Sequence, residues 1–375
     1  MQNIPLFDLE YDNREKEAVA KVLEGKWLTQ GEKTKQLEKE FSAYISNNVN
    51  SIAVSNGTAA LHLALLSNGI GSGDEVIIAG MTFVAALNVT MFTGAAPIIA
   101  DSKSLFDWNV SPDSIKENIS PKTKAVIIVH FAGYPCDMDE ITAITKEYNL
   151  LLIEDTAHAV GAEYKGQKCG GIGDIGCFSF FSNKNLSSGE GGMITVKNTD
   201  TTETVKLLRS HGMTSLTIDR HKNKAISYDV VIPGLNYRTD EIKSALALVQ
   251  LKKLDNNNLK RKKNATKYIS ELSDFDKIII PWKNPPDYTL PSYHIFPVLL
   301  PKNCNRKTIV EKLRTQGIQT SIHYPAFNQF KYYKDILPKL PVADEISERV
   351  ITLPLYPGLK DEQIKYVCDK LKALV

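Results

Sequence analysis

Cysteine is scarce in this chain: Cys136, Cys169, Cys177, Cys304 and Cys368 are odd in number and widely scattered. No CxxC pair occurs, which argues against a zinc site or a disulfide framework and fits a reducing, cytoplasmic setting. Excess charge of one sign is also missing. The net charge is +2, so the broad basic face that nucleic-acid binding requires is not expected. Neither nucleotide fingerprint is present, since no GxGxxG follows a strand and no GxxxxGK[ST] occurs. The opening "MQNIPLFDLEYDNREKEAVAK" has no basic leader ahead of an apolar core, so no secretory signal is expected. Internal repeats and low-complexity segments are absent. The one long stretch without charge, residues 79–100, holds Gly80, Thr82, Asn88, Thr90, Thr93, Gly94 and Pro97. A membrane span is predominantly apolar over about 20 residues. This stretch instead predicts a buried strand, turn, helix and strand.

A length of 375 residues suits about two domains, and 43% hydrophobic with 23% charged residues is ordinary globular composition. Helical periodicity opens the chain in "REKEAVAKVLEG" and "GEKTKQLEKEFSAYI". Short aliphatic runs then alternate with helical patterns: "SIAVS", "DEVIIAG", "APIIAD", "AVIIVH" and "LLLIED". Strands this uniformly apolar are covered on both faces, as in a mostly parallel sheet flanked by helices. The pattern changes near residue 250, where "ALALVQLKKLDNNNLKRKKNATKYISEL" reads as one long helical region. The expected fold is therefore α/β. Residues 1–250 form a large domain with an N-terminal helical segment, and residues 251–375 a smaller C-terminal α+β domain.

Three motifs carry chemistry. In "VSNGTAALHLAL", Ser55, Asn56, Gly57 and Thr58 lie between a strand and a helix start. The unpaired N–H groups and positive dipole end of a helix N-terminus receive phosphate well. The plainer reading is an ordinary N-cap. In "LLLIEDTAHAVGAEYKG", Asp155 directly follows a strand, where open α/β sheets collect ligand-binding groups. Its carboxylate can hold a proton on a heterocyclic nitrogen, and His158 lies three residues on; the alternatives are a capping aspartate and a satisfied histidine. In "CFSFFSNKNLSSGEGGMITV", Lys184 follows an alternating apolar run. Alone it reads as a surface lysine, yet a lysine amine can also form a Schiff base with an aldehyde. A phosphate cradle, a carboxylate for a ring nitrogen and a lysine for an aldehyde are together the three attachment points of pyridoxal 5′-phosphate.

With those motifs in place, the sequence resembles the DegT/DnrJ/StrS family of pyridoxal-phosphate-dependent nucleotide-sugar aminotransferases. The likeness rests on "GKWLTQGEKTKQLEKEF", "SNGTAALHLAL", "MTFVAALN", "EDTAHAVGAEYKG", "FSFFSNKNLSSGEGG", "IPGLNYRTDEIKSALALVQL" and "LPLYPGL", in that order along most of the chain. The resemblance implies the type I aminotransferase fold and a homodimer with shared active sites. It implies Lys184 as the Schiff-base lysine, Asp155 at the pyridine nitrogen and Phe83 stacked on the ring. Gly57, Thr58 and Ser179 would hold the phosphate, Asn236 would reach the phosphate of the neighbouring subunit, and His158 would lie near the phenolic oxygen.

Some close relatives carry histidine in place of the lysine and remove a hydroxyl; this chain keeps lysine, which favours transamination. The implied reaction moves an amino group from L-glutamate to a nucleoside-diphosphate-linked keto sugar, a 4-keto-6-deoxy hexose in the leading reading. Arg220, His221, His323 and Tyr324 are candidates for reading the sugar or nucleotide, beside ordinary surface or packing roles. Three alternatives stay open: another cyclic ketone as acceptor, a lyase or isomerase using the same cofactor, and a non-enzymatic regulator on the same fold. The intact lysine and the lack of a helix-turn-helix or basic appendage count against the last.

Overall fold

A computed structural model describes residues 3–215 and 226–375. Two amphipathic helices open the chain, α1 (Asn13–Glu24) and α2 (Glu32–Ile45). There follow β1 (Asn50–Val54), α3 (Gly57–Leu66), β2 (Glu75–Ala79), α4 (Ala85–Thr93) and β3 (Ala96–Ala100). Next come α5 (Pro112–Glu117), β4 (Thr123–Val129), α6 (Met138–Glu147) and β5 (Leu151–Asp155). After the short pair β6 (Glu163–Tyr164) and β7 (Gln167–Lys168) run β8 (Ile175–Ser179), β9 (Gly192–Val196) and α7 (Thr199–Arg209). The uncharged stretch 79–100 is thus the end of one strand, a helix and a strand. None of the described helices is long and apolar enough to cross a membrane.

Seven strands form one sheet in the order β1-β9-β8-β5-β4-β2-β3. The pairs from β3 through β8 are parallel, while β9 runs antiparallel to both β8 and β1. Strand alternation assigns the aliphatic residues to two faces. Val76, Ile78, Ile127 and Ile153 pack with α3 and α4 on one side. Ile77, Val126, Ile128 and Leu152 pack with Ile115 of α5 and Ile141 of α6 on the other. Double coverage of this kind is why these strands contain almost no polar positions.

The rest of the chain is α8 (Glu241–Glu271), β10 (Thr289–Leu290), β11 (Phe296–Leu299), α9 (Arg306–Thr315), α10 (Pro341–Arg349), β12 (Val350–Leu353) and α11 (Asp361–Leu374). β11 and β12 form a separate antiparallel pair. Residue 250 lies inside α8, a single 31-residue helix. Leu248, Leu251 and Leu254 of its first half pack against Phe178 and Phe180, and Ala265 and Tyr268 of its second half join the β11–β12 core. Ile4 also joins that C-terminal core, where its N–H bonds the Gly317 carbonyl at 2.8 Å.

Two buried carboxylates hold the framework. Glu241, 4% exposed, accepts from the backbone N–H groups of Gly31, Lys33 and Thr34 at 2.8–2.9 Å, and from the Thr34 hydroxyl at 2.7 Å. It caps α2 from some two hundred residues away, because the cap residue Gly31 has no side chain to do so. Glu154 accepts from His130 Nε2 at 2.9 Å and from the N–H groups of Gly170, Ile172 and Gly173 at 2.6–2.8 Å. Burial raises its pKa, but the imidazole and the backbone donors outweigh that and hold it below the usual value. His130, Glu154 and Cys169 lie close enough together for a metal. His130 Nδ1, however, already accepts from the Cys136 N–H at 3.0 Å, and Glu154 is met by four donors, so this cluster is a structural tie.

Substituting Glu241→Ala strands the buried N–H groups at the start of α2. The expected loss is about 2–4 kcal/mol of unfolding free energy, read as a lower urea midpoint with an unchanged m-value.

Candidate active site

Strand register brings the three motifs to one edge. Val54 pairs with Gly192, which pairs with Ser179, so the C-terminal ends of β1 and β8 flank the start of β9. Asp155 pairs with Cys177 on one side and Val129 on the other. Residues leaving the C-terminal ends of β1, β2, β5 and β8 therefore converge, as expected for a largely parallel α/β sheet.

At the β1 end, Asn56 caps α3 by accepting from the Ala59 N–H at 2.8 Å, which leaves the Gly57 and Thr58 N–H groups at the helix start. A Cβ on Gly57 would stand 2.9 Å from Ser179 Cβ, so only glycine allows this close approach of the β1 and β8 loops. Thr58 is exposed, and Gly57 and Ser179 are half-buried. From the β2 end, Phe83 stands 56% exposed with its ring centroid 5.8 Å from that of Tyr324.

Asp155 is 7% exposed and accepts from the Ala157 N–H at 3.0 Å. Burial raises its pKa, partly offset by that N–H and by the charge of Lys184. Lys184 sits in a turn closed by its own N–H on the Phe181 carbonyl at 2.9 Å. It is half-buried, and loss of water around its amine pulls the pKa down to about 8, with Asp155 acting in the opposite sense. Lys184 is thus not an ordinary surface lysine: burial brings its pKa to within reach of neutral pH.

Three buried histidines surround this pair. His158 Nδ1 accepts from the Ala132 N–H at 3.3 Å, so its Nε2 carries the hydrogen and donates to the Tyr324 hydroxyl at 2.8 Å. Burial and then the Lys184 charge push its pKa far down, and burial pushes the Tyr324 phenol up. His323 shares a hydrogen bond with the Thr352 hydroxyl at 3.0 Å, and burial, aided by Lys184, lowers it to about 4. The third, His294, gives no signal in "PSYHIF" and is found only in the structure. It is 3% exposed, lies tilted against His158 with ring centroids 4.5 Å apart, and hydrogen-bonds Asn185 at 3.0 Å. Asn185 adjoins Lys184 in a quoted motif, yet sequence alone shows no link to a residue 109 positions away.

The predicted site residues divide accordingly. Gly57, Thr58 and Ser179 share one corner, while Lys184 acts electrostatically on Asp155, His158 and His323, and Tyr324 contacts the rings of His158, His323 and Phe83. Asn236 is exposed and bridges Ser210 through its backbone, while no hydrogen bond joins its side chain to Asp155 or Lys184. Arg220 and His221 lie outside the described residues.

Comparison with known proteins now supplies the class. Residues 10–372 match the DegT/DnrJ/EryC1/StrS aminotransferase family, and the chain belongs to it. A curated relative, the uncharacterized protein MJ1066 of Methanocaldococcus jannaschii, is 35% identical over 95% of this chain and 94% of its own. Two solved structures superpose over essentially the full length. Helicobacter pylori PseC, an aminotransferase of pseudoaminic acid biosynthesis, gives a TM-score of 0.91 at 27% identity, covering 100% of this chain and 99% of that one. Spr1654 of Streptococcus pneumoniae, assigned as a sugar aminotransferase, gives 0.91 at 29% identity in its PLP form, covering 100% and 98%. It is also solved in a PMP form. Aminotransferases of this family depend on pyridoxal phosphate. The α/β architecture expected from the strand pattern is the fold these structures share.

A lysine near pH 8 becomes reactive well below exposed lysines, which titrate at about 10.4. Competitive acetylation of the cofactor-free chain, read by peptide mass spectrometry, is expected to place the Lys184 midpoint near pH 8. Asp155→Asn removes the charge that favours the ammonium form, so its midpoint is expected lower still.

Proposed function

We propose that this chain transfers an amino group from L-glutamate to a nucleoside-diphosphate-linked keto sugar, with a 4-keto-6-deoxy hexose as the leading acceptor. The observation that carries the reading is the convergence of a helix-start cradle, a buried carboxylate and a lysine of depressed pKa at one sheet edge. Those groups fit pyridoxal phosphate. The Gly57 and Thr58 N–H groups and the Ser179 hydroxyl offer donors to a phosphate, and the Gly57 cradle is one a Cβ would fill. Support for a sugar acceptor comes from PseC and Spr1654, whose described roles concern sugar chemistry.

When bound, the cofactor supplies an electron sink and carries the amino group between donor and acceptor. The chain's own residues do the rest. Asp155 would hold a proton on the ring nitrogen, Phe83 would offer its ring to the ring of the cofactor, and Lys184 would hold the aldehyde; the freed Lys184 amine would move a proton to or from the reacting carbon. A base of this kind works best with a pKa near the working pH, and about 8 meets that condition. His323 and Tyr324 are assigned to the acceptor side of the cleft. Asn236, exposed and unattached to its own cleft, is assigned to the phosphate of a second copy, so the working unit is a homodimer. The five cysteines are free, which supports a cytoplasmic location as part of this reading.

Borohydride reduction of the purified protein followed by peptide mapping is expected to tag Lys184 alone; a tag elsewhere, or none, sinks the reading. Glutamate is expected to shift the visible absorbance to the pyridoxamine form, and a panel of nucleotide-linked keto sugars to reverse it. A protein that carries the tag but shows no shift with any amino donor is a lyase or isomerase instead. Lys184→Ala is expected to lower kcat at least 100-fold (roughly the general acid–base contribution) without loss of fold.

A further inference from the structure

The loop from β8 to β9 carries Lys184, and a long side chain is placed only as well as the backbone that bears it. Within the loop, the Lys184 N–H bonds the Phe181 carbonyl and the Ser188 N–H the Phe180 carbonyl, each at 2.9 Å. The Ser182 hydroxyl bonds the Gly189 carbonyl at 3.2 Å. These bonds close the loop on itself. Among the described residues, only Asn185 and Ser187 carry hydrogen bonds from residues 182–189 to distant parts of the chain.

Asn185 is buried and spends its whole amide on residues beyond 250. Nδ2 donates to Asn258 Oδ1 and to the Ser292 carbonyl, each at 2.8 Å, so Oδ1 accepts from His294 Nδ1 at 3.0 Å. From the other side, the Tyr11 hydroxyl donates to the Ser187 carbonyl at 2.8 Å. Tyr11 ends a segment that belongs to no helix or sheet, yet that segment is itself pinned to the C-terminal part. The Ile4 carbonyl accepts from the Gln319 N–H at 3.0 Å, and the Leu6 N–H donates to Gln319 Oε1 at 3.0 Å. The Leu6 carbonyl accepts from the Leu355 N–H at 3.1 Å. Just past Tyr11, the buried Glu15 of α1 meets the buried Lys253 of α8 at 2.6 Å and accepts from Gln250 at 2.7 Å. Lys253 also donates to the Glu10 carbonyl at 3.1 Å.

We propose that Tyr11 and Asn185 are positioning residues that hold the Lys184 loop to the C-terminal part of the chain, with the Glu15–Lys253 pair setting Tyr11 in register. A buried ion pair adds little net stability, because desolvation offsets attraction, and its best-attested use is to fix one register. The two anchors grip the loop one and three residues beyond Lys184. They return the freed amine to one place, which proton transfer at a fixed carbon requires. The inference rests on Lys184 being the cofactor lysine, as argued above.

The test uses the full-length, cofactor-free chain. Tyr11→Phe removes one hydroxyl and no charge, since burial pushes the Tyr11 phenol up. Hydrogen exchange in a peptide covering residues 182–190 is expected to run about fivefold faster, roughly the worth of one net hydrogen bond, with β4 unchanged. Burial is the first cause of the lowered Lys184 pKa, so an amine less firmly enclosed takes up a proton more readily. Its acetylation midpoint is therefore expected to rise by about half a pH unit, or about threefold in proton affinity. Asp155, His158, His294 and His323, which are coupled to that amine, are all kept. Asn185→Ala, where it folds, is expected to move both readings in the same directions and further; where it does not, Tyr11→Phe decides alone. Unchanged exchange in the loop, acceleration that spreads equally to β4, or an unchanged or lowered midpoint in either folded variant overturns the proposal. Failure of the cofactor assignment is separately visible as a borohydride tag on the wild-type protein at a residue other than Lys184.

Discussion

A cation and an anion kept short of water govern this molecule. Lys184 and Asp155 each resist ionisation when buried, and each favours the charged form of the other. Burial moves the amine down and the carboxyl up, and their attraction stops both shifts part-way. Such a balance survives only if nothing nearby supplies a competing charge. Three neutral imidazoles and a raised phenol meet that requirement, offering polarity without net charge.

Holding that balance demands pieces from far along the chain. The sheet edge supplies Asp155, His158 and Lys184, while His294, His323 and Tyr324 come from beyond residue 290. The His158–Tyr324 hydrogen bond and the His294–Asn185 hydrogen bond stitch the two sets together. α8 runs through both cores and serves as a common spine, since its first half packs on β8 and its second half on β11 and β12. Asn258, on the same helix, receives a hydrogen of Asn185 and donates to the Val160 carbonyl at 3.0 Å. A displacement of the C-terminal part would therefore be felt first at the imidazoles, not at the sheet.

Much of this was legible in the sequence for a physical reason. Strands buried on both faces must be aliphatic, helices must be amphipathic, and the ends of parallel strands collect polar loops, so "IIVH", "LLIED" and "SNGTAAL" announce both element and edge. Lys184, a surface lysine when read alone, was legible only beside the helix-start motif and Asp155, because the three together match the attachment points of one cofactor. What escaped was whatever depends on three-dimensional pairing between distant segments. Nothing near Glu241 signals that its carboxylate caps a helix starting at residue 32. Nothing near His294 signals that an asparagine 109 residues earlier fixes its tautomer. The insertion of an antiparallel β9 between β8 and β1 is equally silent, because β9 is buried along its whole length and so has the same apolar character as its parallel neighbours.

The two acids that end β5 repay a last look. Glu154 and Asp155 are consecutive, and pleating sends one into the framework, where His130 and three backbone amides clasp it, and the other into the cleft. A slip of one place in how β5 pairs with its neighbours would exchange their stations. The longer acid would then face Lys184, and the shorter one would leave four donors ungripped. Which acid faces Lys184 is thus written in the parity of a strand, and the loop 170–173, whose N–H groups grip Glu154, is the lock that keeps count.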